Sequence, residues 1–190
     1  LTSNLFITEP CDETRATGTN GVFDFAVSSR AFQEVSVFTN VSRIRDFYVS
    51  LGFTEPTPPQ MQLVIHELFT NTAAGPCVIA TGTADNALYS PPFGANPARI
   101  SVGDGSGNPT QGLKALPLEA DVVAHEYGHH VVFKVMTATT KGETLQLHEG
   151  LADIFVMLKN DDACFAPSIC PTNSTACYVK GQCLRSANNT

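Results

Sequence analysis

Asp121 to His130 reads DVVAHEYGHH and holds three of the chain's five histidines. Val122, Val123, Val131, Val132 and, just beyond, Val135 give this region poor local helix propensity. His125 and His129 nevertheless stand four apart, so a helix stacks their imidazoles one turn above the other, at two corners of one tetrahedral metal site. Reading Leu118 to Val135 as a helix therefore requires burial to hold it, and a central, packed helix is the expectation. Asp121 falls early in it, where a carboxylate complements the helix N-terminus.

Glu126 sits one step round from His125 and faces the open side of such a metal. This is the H-E-x-x-H arrangement, in which the metal lowers the pKa of a water and the glutamate takes its proton. The bland reading is two half-buried histidines and a surface glutamate. A third ligand decides between them. A metzincin needs Gly at 132 and His at 135, and this chain has Val132 and Val135, so that class is excluded. The other common solution is a glutamate on a following helix. Glu149 opens a segment expected to be helical from about His148 to Lys159, with Leu151, Phe155 and Leu158 on one stripe. Asp153 lies one turn after Glu149 on the same face. The pair is either a solvated helical edge or a ligand and a partner that fixes a histidine tautomer. Beside H-E-x-x-H the second reading makes better sense, and zinc suits a His2Glu set with one open position. His130 points about 100° away from its neighbour, which favours a packing or surface role. His148 is open between a substrate contact and a helix cap. His66 begins another His-Glu pair, but Thr70 stands where its second histidine is needed.

Upstream, Val37, Val41, Ile44, Tyr48 and Leu51 recur at steps of four and three, which predicts a helix over about Arg30 to Leu51 that Gly52 ends. Val22–Val27, Gln62–Leu68, Cys77–Ala80 and Arg99–Val102 read as strands. Turn-rich stretches at 90–94 and 103–112 separate them from the histidine helix. The fold class expected is α+β: residues 1–120 form a β-rich lobe with one long helix, and 121–190 form the zinc-binding helix pair followed by a cysteine-rich loop region, all within one continuous domain.

Residues of 43% hydrophobic content over 190 positions suffice for one sizeable core. Eleven basic against eighteen acidic residues give a net charge of −7 with no Lys/Arg cluster, so nucleic acid and anionic membrane have no electrostatic basis as partners. No apolar run is long enough to span a bilayer. Six cysteines include Cys164, Cys170, Cys177 and Cys183 crowded near the end, with Cys11 and Cys77 upstream. An even, crowded set favours disulfides and an oxidising, extracellular compartment. A structural zinc knot is the rival, but its cysteines usually stand two to four residues apart. Pairing cannot be read from spacing. Asn40, Asn173 and Asn188 begin Asn-x-Ser/Thr triplets, which accept glycans in a source that glycosylates.

DVVAHEYGHH and HEGLADIF resemble the two motifs of the thermolysin-like and fungalysin-like zinc metallopeptidases, the gluzincins. NVSRIRDFYVSLGFTE resembles their long helix, and DNALYSPPFGANPARISVGDG resembles their active-site edge strand, in a style nearer the fungalysins. The resemblance covers most of residues 30–160 and keeps the family's motif order. It implies a secreted zinc endopeptidase with a peptide or protein substrate. Zn2+ would rest on His125, His129 and Glu149, Glu126 would act as catalytic base, and Asp153 would orient a ligand. It also implies substrate-binding roles for Arg185, through the segment LRSANNT, and for Asn86 and Ala87, through which the family adds the substrate as a strand. Calcium, which the family uses for stability, would take Asp121 with Asp161 or Asp162, and exposed helix-end carboxylates are the equal alternative.

Two departures bear on activity. The family's oxyanion-stabilising tyrosine corresponds to about Thr140, and its later histidine would lie beyond Thr190 on a C-terminal helical lobe expected to be missing. Loss of one oxyanion donor typically costs about 100- to 1000-fold in turnover. The expectation is thus a fragment or processed product whose missing C-terminal lobe or propeptide would be a partner. The competing class is a zinc-containing binding or structural module that has lost catalysis.

Overall fold

The computed structural model describes residues 5–8, 16–54, 60–67, 84–136, 143–178 and 182–188. In chain order these form β1 (Leu5–Thr8), α1 (Arg30–Ser50), β2 (Met61–Ile65), β3 (Ala87–Ser90), β4 (Ala98–Val102), a 3-10 turn (Leu116–Leu118), α2 (Ala120–Met136), α3 (Glu143–Asn160), β5 (Cys164–Phe165) and β6 (Arg185–Ser186). The result is an α+β molecule with one four-stranded sheet in the order β1-β2-β4-β3. β1, β2 and β4 run parallel, and β3 closes the sheet antiparallel to β4, with Ala87 opposite Val102 and Ser90 opposite Arg99. The small β5/β6 hairpin stands apart from it.

α1 begins where the Ser29 hydroxyl accepts the Phe32 N–H at 3.2 Å, satisfying one of the free donors of the first turn. It ends at Gly52, whose φ of +93° is the left-handed conformation that glycine adopts without penalty. Val37, Val41, Ile44 and Tyr48 form its buried stripe, while Leu51, expected to continue that stripe, is the C-cap and is exposed. Glu34 is buried on the same face, and its carboxylate accepts the Ala16 N–H at 2.9 Å.

β2 and β4 bury Leu63, Ile65, Ile100 and Val102 completely, as central parallel strands do. The reading of Val22–Val27 as a strand is corrected. Asn20 and Gly21, both at positive φ, make a tight turn closed by the bridge between Thr19 and Val22, and no strand follows. Alternation alone stabilises nothing without a neighbouring strand and an apolar layer to cover it, and Val22 and Val27 are more than 60% exposed. The proposed strand at Cys77–Ala80 lies outside the described residues, as do Cys11 and Cys77.

α2 packs against α1, α3, β3 and β4. Its residues 121–128 and 130–132 are all buried, so burial holds a helix that its valines would not favour alone. Val135, by contrast, is exposed at the helix end. Tyr48 ties the layers together, stacking on Tyr127 at 6.0 Å and meeting Phe155 edge-on at 5.6 Å. One core runs from Val37 on α1 through Ile100 and Val123 to Phe165 and Ile169 near the C-terminal hairpin.

α3 starts a full turn earlier than expected, and its buried face is rotated from the expected stripe: Phe155 packs part-buried against the core and Leu151 is half-buried, but the deepest positions are others. His148, Ala152 and Val156 point inward, whereas Leu158 is 72% exposed. The close approach of α2 selects that face. A Cβ built on Gly128 would lie 3.2 Å from both Cα and Cβ of Ala152, so two minimal residues let the helices touch. Gly128→Leu forces them apart, and overpacking of this kind costs about 1–3 kcal/mol. Thermal unfolding should show a midpoint lowered by several degrees; an unchanged midpoint would mean that the helices accommodate the side chain.

Two disulfides close the C-terminal region, Cys164–Cys183 and Cys170–Cys177. They indicate an oxidising compartment. No helix among the described residues is long and apolar enough to cross a membrane.

Candidate metal centre

α2 sets His125 and His129 on one face, their rings 4.6 Å apart and edge to face. α3, held close at Gly128, brings Glu149 opposite them. Glu149 Oε2 lies 3.1 Å from His125 Nε2, and Oε1 lies 3.4 Å from His129 Nε2. One donor atom from each residue falls within 4.8 Å of the others, so the three form a group able to hold a metal ion. Donors about 2.0–2.1 Å from a tetrahedral ion stand roughly 3.3 Å apart, and each imidazole lies near that distance from one of the two Glu149 oxygens. Two imidazoles and one carboxylate are compatible with zinc.

Asp153 stands behind the group. Its Oδ1 accepts from His125 Nδ1 at 2.8 Å, which assigns the proton to Nδ1 and turns Nε2 toward Glu149 and His129. The same carboxylate receives Arg185 in a fork, Nη2 to Oδ1 and Nε to Oδ2, both at 2.7 Å. Arg185 comes from β6, with its guanidinium 4.5 Å above the Phe165 ring of β5, and the Cys164–Cys183 bridge joins these two ends of chain. His125, Asp153 and Arg185 are thus one chain of contacts drawn from α2, α3 and the hairpin.

Electrostatics follow from this crowding. Burial pushes His125 down, but the Asp153 and Glu149 hydrogen bonds outweigh it and raise the imidazole to about 9, so an incoming metal ion must displace a proton there. Hydrogen bonds from His125 and His129 hold Glu149 well below the usual carboxylate range. Burial opposes ionisation of Asp153, yet its bond to His125 and the Arg185 charge bring it below its ordinary value. Burial dominates at Glu126 and raises its pKa, against the two histidines and the Tyr89 backbone N–H that favour its charge. A carboxyl raised in this way is suited to trading protons. Asp153→Ala should weaken metal binding about 10- to 100-fold, as loss of such supporting partners does. Competition with a chromophoric chelator measures it, and an unchanged affinity would remove Asp153 from the site.

The centre opens onto a cleft of about 570 Å³, lined by His125, Glu126, His129, Glu149 and Arg185 on one side and by Asn86 and Ala87 on the other. β3 is an edge strand, so one side of it has no neighbouring strand among those described. The Asn86 carbonyl accepts the Gly103 N–H at 3.0 Å and so faces β4. By antiparallel alternation, the peptide groups of Ala87 and Tyr89 face the open side.

The sequence reading overlooked Tyr89 and Asp85. Tyr89 ties the edge strand to α2 twice, through its N–H on Glu126 and through its hydroxyl, 3.0 Å from His130 Nδ1. His130 is fully buried, which assigns it to packing. Asp85 braces the start of the strand, accepting from Ser106 N–H and Oγ, both at 2.6 Å, and from Leu113 N–H at 2.9 Å. Both fall within the edge-strand segment DNALYS, but their roles are defined by groups distant in sequence. His148 neither caps a helix nor lines the cleft. It is buried inside α3, stacked 5.9 Å from His129, and neither ring nitrogen has a hydrogen-bond partner.

Asp121, Asp161 and Asp162 are not gathered into a metal group. Asp121 is buried and filled by protein donors, Asn160 Nδ2 at 2.7 Å and Ala166 N–H at 3.0 Å. Asp162 instead accepts the Cys164 N–H at 2.8 Å. Asp121 and the neighbouring Glu119, which accepts Ser168 N–H at 3.0 Å, therefore fasten the C-terminal loop to the start of α2. Thr140 lies outside the described residues. No protein-family model matches the chain, and no curated protein matches it.

Proposed function

We propose that the chain is a secreted zinc endopeptidase of the gluzincin type. The observation that carries this reading is the meeting of His125, His129 and Glu149 in a cleft whose wall also contains buried Glu126. A zinc ion held by these donors supplies Lewis acidity toward a carbonyl oxygen and lowers the pKa of a water. Glu126, buried and raised in pKa, takes a proton from the attacking water and passes it to the departing amine. The open side of β3 offers the Ala87 peptide group to an extended substrate, with Asn86 beside it on the cleft wall. Arg185 spends Nε and Nη2 on Asp153, which leaves its Nη1 donors for a peptide carbonyl. The disulfides suit a secreted protein.

Metal analysis of the purified chain should find zinc at about one equivalent, the stoichiometry of a single His2Glu site. The same preparation should cleave a mixed peptide substrate, lose that activity to a chelator and regain it with added zinc. Zinc without cleavage would make the chain a non-catalytic zinc module. Absence of zinc affinity would overturn the metal assignment as well.

A further inference from the structure

The three Asn-x-Ser/Thr triplets are left unused by the metal centre, and the fold treats them differently. Asn40 is half-buried in the middle of α1, with its Nδ2 donating to Ser36 Oγ at 3.4 Å. Its neighbour Val41 is fully buried, and the Ser42 hydroxyl is turned back onto the Phe38 carbonyl at 2.9 Å. A sugar on Asn40 would have to break into a packed helix face. Asn188 is exposed, but the Thr190 that completes its triplet lies outside the described residues.

Asn173 is exposed in a turn within the loop that the Cys170–Cys177 bridge closes. Its flank is anchored while it is not. The adjacent Ser174 is fully buried and donates to the Gly112 carbonyl at 2.8 Å, and Thr175 donates its N–H to the Thr110 carbonyl, also at 2.8 Å. The middle residue of the triplet is serine, which permits modification where proline would not. The disulfide in the same loop indicates an oxidising compartment, a condition that the eukaryotic secretory route, where N-glycosylation occurs, also meets.

We infer that Asn173 is a site of N-linked glycosylation, carrying an oligosaccharide on a turn whose anchored flanks leave its side chain projecting to solvent. The donor is a polyprenyl-diphosphate-linked oligosaccharide. A bond forms between Asn173 Nδ2 and the anomeric carbon, the bond from that carbon to the diphosphate oxygen breaks, the amide gives up one proton, and the polyprenyl diphosphate leaves. No electrons are exchanged. A glycan on Asn173 requires no peptidase activity of the chain.

The test is secretion of the full chain from a eukaryotic host, followed by release with peptide N-glycosidase in heavy-oxygen water and mass spectrometry of the peptide containing position 173. Conversion of Asn173 to heavy-oxygen-labelled aspartate is the expected result. Asn173→Gln should remove one glycan. Should that variant fail to be secreted, Thr175→Ser is expected to keep the glycan and Thr175→Ala to lose it. Secreted, disulfide-bonded chain whose position-173 peptide is unmodified would overturn the assignment.

Discussion

Glu126→Gln should leave zinc bound and reduce peptide hydrolysis by about two to four orders of magnitude, the usual contribution of a positioned general base. Glutamine keeps the size and can still accept the Tyr89 N–H that reaches this position, so packing against the edge strand survives. It cannot take a proton. Glu126 is not in the donor group, so the metal content should not change. The comparison requires kcat/KM on one peptide together with zinc content for both proteins. Wild-type hydrolysis by the glutamine variant would refute the role of Glu126, whereas loss of zinc along with activity would mean that Glu126 supports the metal instead.

His129→Ala has the second large effect, on the metal itself. A four-donor zinc site in a small folded peptide is worth on the order of 10–16 kcal/mol, so one protein ligand carries about 2.5–4 kcal/mol, roughly two to three orders of magnitude in affinity. The lost imidazole faces Glu149, and its removal leaves that carboxylate with His125 alone. The helices remain packed through Gly128, Ala152 and the Tyr48 cluster, none of which the substitution touches. Circular dichroism should therefore stay native while titration with zinc weakens and activity falls with it. Full zinc affinity in this variant would exclude His129 as a ligand.

These two substitutions probe different levels of legibility. His125, Glu126 and His129 were readable because a helix places residues four apart on one face whatever surrounds it. α1 was equally open to inspection, since its stripe from Val37 to Tyr48 and its glycine stop are local patterns. Val22–Val27 failed for the opposite reason: alternation describes a strand's surface but supplies no neighbour to pair with. A count of large apolar residues found Phe155 on the packed side of α3 but missed the centre of that face, because the contact with α2 selects Ala152 for its smallness and exposes Leu158. Cysteine spacing indicated bridges and could not indicate that Cys164 joins Cys183 and Cys170 joins Cys177.

From local pattern alone came the pair of imidazoles one turn apart with a carboxylate beside them, and an acidic, cysteine-rich α+β chain around them. Tertiary packing brought Glu149 opposite that pair, set Asp153 between His125 and Arg185, and laid the β3 edge along the cleft. Arg185 is sixty positions from His125, and such contacts depend on how helices and a cross-linked hairpin pack rather than on the residues between them. Gly128 shows the physical reason in one residue: as a sequence letter it weakens a helix, and in the fold its missing side chain lets α3 come close enough for a third donor to reach the histidines.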